Sequence, residues 1–185
     1  MKQKRISDYG YRIGHHESGP RNKITDVPGV RVGHTTVEDG NQHTGVTVIV
    51  PGEGNPFLKK YLASAYVHNG FGKTCGLVQI QELGTLGARI GLDNTLDVGK
   101  GGGGLVSLVV EEDKKGGGDV FSIGSVVGEC NESRVDGLGA GGWGEKVCHG
   151  VGGGVYGLWG GGWPKVCYVG WRGVCHPGLW FIKNI

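Results

Sequence analysis

Several common signatures are missing from this chain of 185 residues. It has no run of about 18 apolar residues, so no segment reads as a membrane-spanning helix and no membrane partner is expected. The basic start, Met-Lys-Gln-Lys-Arg-Ile-Ser-Asp, has no apolar stretch behind it, which argues against an ordinary secretory signal. A cytoplasmic location is the expectation, with the five cysteines reduced. There is no Cys-x-x-Cys pair. Cys148-His149, Cys167 and Cys175-His176 resemble a zinc set only superficially, so no metal and no cofactor is expected. An excess of one charge is lacking too. With 19 Lys and Arg against 17 Asp and Glu, and no basic–aromatic stripe, nothing points to a nucleic acid partner.

Glycine, by contrast, is abundant: 41 residues of 185, where about 7% is usual. No strict every-third-residue repeat exists, which excludes collagen. The excess is uneven, with 25 glycines after residue 100, and all five tryptophans lie beyond residue 142. The chain therefore divides into a lead segment (1–23), a portion that reads as a folded α/β unit (24–134), and a Gly/Trp-rich tail (135–185).

In the middle portion, Val27-Pro28-Gly29-Val30 reads as a turn, followed by a short strand at Val30-Arg31-Val32. Gly45 to Val50 alternates with period two and is stopped by Pro51-Gly52, as a strand would be. Apolar spacing predicts a helix over 58–67 and a strand at Leu77-Val78-Gln79-Ile80. A helix is expected over 105–115, closed by Gly116, with Glu111-Glu112-Asp113-Lys114-Lys115 as its exposed face. A buried strand is expected over 121–127. Strands alternating with helices argue a layered α/β domain.

The tail follows neither period. Its 51 positions contain 16 glycines and no serine. Flexible linkers are rich in serine and poor in tryptophan, the reverse of what stands here. Wrong-frame translation of a GC-rich gene, or a disordered tail, are the readings that fit.

Polar residues at loop boundaries supply the candidate chemistry. His68-Asn69-Gly70-Phe71-Gly72-Lys73 reads as a structural turn in which Asn69 can bind backbone groups; it lacks the glycine spacing of a phosphate loop. Glu129 and Asn131, two apart at a strand end, point the same way and offer a carboxylate and an amide oxygen. That pair suits a substrate ammonium, and equally a capping or ion-pair role. Cys130 between them should face the other side and be buried. Neither Cys75 nor Cys130 carries the local signature of a nucleophile, and His15-His16 reads as a solvated pair.

Ordered blocks over 24–134 resemble the DmpA-type aminopeptidases, which comprise the L-aminopeptidase/D-esterases and β-peptidyl aminopeptidases. The blocks are Ile24 to His34, Thr44 to Ile49, His68 to Lys73, Gly76 to Leu86, Asp93-Asn94-Thr95-Leu96 and Val126 to Asn131. The resemblance implies an αββα sandwich similar to the N-terminal-nucleophile hydrolases, shared with the ornithine acetyltransferases and incomplete in this chain. It implies a precursor that cleaves itself before a serine, and this new N-terminal serine attacks short peptides, amides or esters with a free amino end. By the same resemblance, Glu129 and Asn131 match the pair that holds the substrate's amino group, and Asn69 and Asn94 match loop asparagines that shape the site. Intact relatives would be homo-oligomers.

No Asn-Ser or Gly-Ser step follows residue 135, and Ser125 stands in no matching context. The nucleophilic serine is therefore expected to be missing, no catalytic residue is assigned, and this chain alone is expected to be inactive. Two alternatives are a fragment of an ornithine acetyltransferase-like acyl transferase and a non-functional truncated product with apolar faces open to association.

Overall fold

Period-two alternation of β-branched residues builds a long hairpin, β1 (Arg31–Asp39) and β2 (Gln42–Val50). The two strands pair antiparallel from Arg31↔Val50 to Asp39↔Gln42, so both reach further than the short segments expected. The computed structural model describes residues 6–12, 14–39, 42–67, 70–116, 120–130 and 179–180. The remainder, including Asn69, Asn131 and nearly all of the 135–185 tail, lies outside the described residues.

Pro51 ends β2, and the chain turns at 56–58, where the Asn55 side-chain oxygen accepts the Phe57 amide at 2.9 Å. The helix expected over 58–67 is replaced by two short strands, β3 (Tyr61–Leu62) and β4 (Ser64–Ala65). Tyr61, Ala63 and Ala65 pack inward while Leu62 and Tyr66 are exposed, which is strand periodicity rather than helical. β4 pairs with β8 (Leu179–Trp180), the one described stretch of the tail.

The strand expected at 77–80 is instead the start of helix α1 (Leu77–Leu83). Four residues are too few to separate the two periods. The glycines at both ends decide it. Gly76 enters with φ +79°, and a Cβ there would fall 1.8 Å from the Ser125 carbonyl oxygen. Gly84 closes α1 with its N–H donated to the Ile80 carbonyl at 2.9 Å. Leu77 and Ile80 then point into the core at i, i+3 spacing.

β5 (Thr85–Leu86) pairs with β3, and β6 (Ile90–Asn94) adds to the main sheet beside β2. Helix α2 (Val98–Gly116) crosses over to β7 (Val126–Cys130), which lies parallel to β6. α2 begins seven residues before the predicted start and runs through Gly101 to Gly104. β7 starts later than predicted because β6, its partner, begins only at Ile90, which pairs with Val126; Phe121 is exposed.

The main sheet has the order β1-β2-β6-β7. On one face, Val46, Val48, Val50 and Val127 pack with Val98 and Leu105 of α2. On the other, Ile49, Ile90 and Val126 pack with Leu77 and Ile80 of α1 and with Leu86 and Tyr61. The sheet is thus covered by helix on both faces, as a layered α/β unit requires.

Candidate functional site

The parallel pair brings the carboxyl ends of β6 and β7 together beside the first turn of α2. In open α/β sheets this is where ligands bind. Register places Asp93 opposite Glu129 and Asn94 opposite Cys130. Neighbouring strands lie about 4.8 Å apart, and registered partners in a parallel pair face the same side. The side of Asp93 and Glu129 is the α2 side, because Gly91 and Val127, two residues back on each strand, meet one another there beneath Leu105.

Asp93 is 2% exposed. Its Oδ1 accepts the Asn94 amide at 2.8 Å, while its Oδ2 is buried without a hydrogen-bond partner. Close approach of the helix causes the burial. A Cβ at Gly101 would stand 2.9 Å from that Oδ2, so a larger residue there would force the carboxyl group to shift. Burial pushes the Asp93 carboxyl up to about 7; the Asn94 amide pulls it down, Asp97 pushes it further up, and Lys100 opposes.

Asn94 is buried and turns back to cap the helix. Its Oδ1 accepts the amides of Leu96 at 2.9 Å and Asp97 at 3.0 Å, and its Nδ2 donates to Asp97 Oδ2 at 3.0 Å. The Asp97 carboxylate, one residue ahead of α2, also takes Lys100 Nζ at 2.7 Å. An acid here suits the positive end of the helix dipole.

Glu129 is half-buried in β7, and its Oε2 is buried with no hydrogen-bond partner. Cys130 is 3% exposed and belongs to the opposite side, as alternation predicts. Of the expected site residues, the structure brings Glu129 and Asn94 to one end of the sheet, whereas Asn69 and Asn131 lie outside the described residues. Sequence reasoning missed Asp93, Asp97 and Lys100. The available signal was an acid in the otherwise apolar strand Ile90-Gly91-Leu92-Asp93-Asn94. Among the described residues, no group of three or more His, Cys, Asp or Glu is arranged to hold a metal ion. Two unpartnered carboxyl oxygens at adjacent strand ends are chemically suited to a cation with N–H donors.

Comparison with known proteins decides the family. The model of peptidase family S58 matches residues 22–169. The chain belongs to peptidase family S58. The matched stretch continues past residue 134 into the Gly/Trp-rich tail.

Among S58-related proteins, the chain is 40% identical over 90 residues to the β-peptidyl aminopeptidase BapA of Sphingosinicella xenopeptidilytica, covering 44% of this chain and 22% of that protein. The PH0078 protein of Pyrococcus horikoshii OT3 matches with TM-score 0.62 and 43% identity over 69% of this chain and 38% of its own. A Burkholderia sp. β-aminopeptidase matches with TM-score 0.67 and 36% identity, over 82% of this chain and 42% of its own. The L-aminopeptidase D-Ala-esterase/amidase of Ochrobactrum anthropi, a variant of the Ntn hydrolase fold, shares the fold at TM-score 0.64 and 22% identity, over 75% of this chain and 41% of its own. The fold is thus the α/β architecture of the Ntn-type aminopeptidases. This S58 chain spans about two fifths of the length of these solved relatives and 22% of the curated one.

Proposed function

We propose that the chain is the N-terminal portion of a self-processing serine aminopeptidase or amidase acting on short peptides, amides or esters with a free amino end. Glu129 is the residue that carries this reading: a strand-end acid with a buried, unpartnered oxygen, in a chain of a peptidase family. It receives the substrate ammonium, with Asn131 supplying an amide oxygen beside it. Asn94 shapes the site indirectly by fixing the turn into α2, and Asn69 takes the site-shaping role that the family resemblance implies. The attacking serine belongs to a later segment, so the 185-residue chain by itself turns over no peptide. The intact enzyme is a cytoplasmic homo-oligomer.

Aminoacyl-anilide hydrolysis by the purified chain tests this, together with one denaturing mass measurement. The expected result is an uncut chain with no release of anilide. Turnover that survives further purification, or a mass showing internal cleavage, overturns the proposed division of labour. In a full-length relative carrying the same motif, replacing the acid equivalent to Glu129 by glutamine should raise KM for substrates with a free amino end.

A further inference from the structure

We propose that Asp93 is a second acid of the ammonium site, so that the socket grips a primary ammonium through two carboxyl groups, Glu129 from β7 and Asp93 from β6. The proposal rests on the reading of Glu129 given above and adds a residue that the sequence did not single out.

Two observations point the same way. Asp93 and Glu129 are register partners on one face of a parallel pair. Each also carries one buried oxygen without a hydrogen bond, Oδ2 and Oε2, while Asp93 as a whole is 2% exposed. A buried polar atom left unpaired is costly, and two acids side by side in one row are costlier still unless a cation joins them or one keeps its proton. Lys100 is not that cation, because its Nζ is held by Asp97 Oδ1 at 2.7 Å.

A primary ammonium has three N–H donors. One suits Glu129 Oε2 and one Asp93 Oδ2. The charged groups that act on Asp93 are Asp97 on the connecting turn and Lys100 on α2; Glu129 on β7 is its register partner, and Val46 and Val48 of β2 carry no charge. With its carboxyl near 7, Asp93 holds its proton in the empty socket at mildly acid pH. An arriving ammonium favours the carboxylate, and the proton leaves to solvent. Affinity for the cation therefore rises with pH through this range.

The test titrates the 185-residue chain with n-butylammonium chloride at constant ionic strength, at pH 6 and pH 8, where an aliphatic amine stays protonated because its pKa is near about 10.4. For one group titrating at about 7, affinity should tighten about tenfold between those two pH values. Tetramethylammonium, which has the charge but no N–H, should bind far more weakly. Asp93→Asn keeps an Oδ1 acceptor for the Asn94 amide and should flatten the pH response. Glu129→Gln should abolish binding. If the Asp93→Asn chain binds with the wild-type pH response while Glu129→Gln loses binding, Asp93 is no part of the socket and the Glu129 reading stands. If the wild-type chain takes up no butylammonium, the Glu129 reading itself falls, and Asp93 with it. A carbon-13 titration of the Asp93 carboxyl in the wild-type chain needs no variant. Its midpoint should fall on adding butylammonium, and an unmoved midpoint overturns the proposal.

Discussion

Asn94 and Asp97 clasp one another across the turn that starts α2. The Asn94 amide donates to Asp97 Oδ2 at 3.0 Å, while its oxygen accepts the Asp97 backbone N–H at 3.0 Å. One side chain thereby orders the link between the strand end carrying Asp93 and the helix that covers it. Asn94→Ala removes these bonds and the one to Leu96, and should cost about 1–2 kcal/mol, read as a lower urea midpoint with unchanged slope.

Two glycine positions should respond in opposite directions. At Gly76 an added Cβ meets the Ser125 carbonyl at 1.8 Å in a backbone with φ +79°, so Gly76→Ala should destabilise by about 2 kcal/mol or more. At Gly103, inside α2, nothing lies within 4 Å of the added atom. Gly103→Ala should raise stability by about 0.5–1 kcal/mol, the ordinary helix preference. Thermal melts of the two variants check both signs.

Stability should fall between mildly acid and neutral pH through Asp93. Its carboxyl titrates at about 7 when folded, against an ordinary 3.8, so across that interval the folded chain keeps a proton that the unfolded chain has lost. The contribution is complete below the unfolded value and is lost as pH rises through the folded one, on the order of 4 kcal/mol in all. His34, whose pKa burial lowers, acts in the opposite sense. Its effect cancels when urea midpoints of wild type and Asp93→Asn are compared at each pH, and the difference should follow the Asp93 titration.

At the far end of the sheet, Arg89 is 6% exposed and its Nη2 reaches both oxygens of Glu112 at 2.7 Å. Removing the acid strands a buried guanidinium whose Nε and Nη1 already have no partner. Glu112→Gln should therefore cost about 2–4 kcal/mol, and the double change Arg89→Met/Glu112→Gln should recover much of it. A double-mutant cycle in urea measures the coupling.

How much was legible beforehand depended on the length of each pattern. The second half of β2 was visible because period two persists from Gly45 to Val50, whereas most of β1 and its pairing with β2 were not. Leu77 to Ile80 was misread because four apolar-leaning residues fit either period, and only the positive-φ glycines flanking α1 settle it. Residues 58–67 misled in the same way, their inward Tyr61, Ala63 and Ala65 hidden among exposed apolar neighbours. The place of Glu129 in a strand, with Cys130 buried on the opposite side, was legible from alternation. Asp93 was not, because its burial depends on α2 packing closely at Gly101, and a run of glycines reads in sequence as a poor helix start.

The parallel pairing of β6 with β7 also sets an order of events in time. β1 and β2 meet through a short connection, but Ile90 finds Val126 only after the whole of α2 has been traversed. Loop closure of that length slows pairing relative to a hairpin. The hairpin should nucleate and β7 should dock late, so Val48→Ala should slow refolding while Val127→Ala mainly speeds unfolding, a split that stopped-flow chevrons resolve. The two acids are then kept apart during the search for the fold and brought face to face only as it closes.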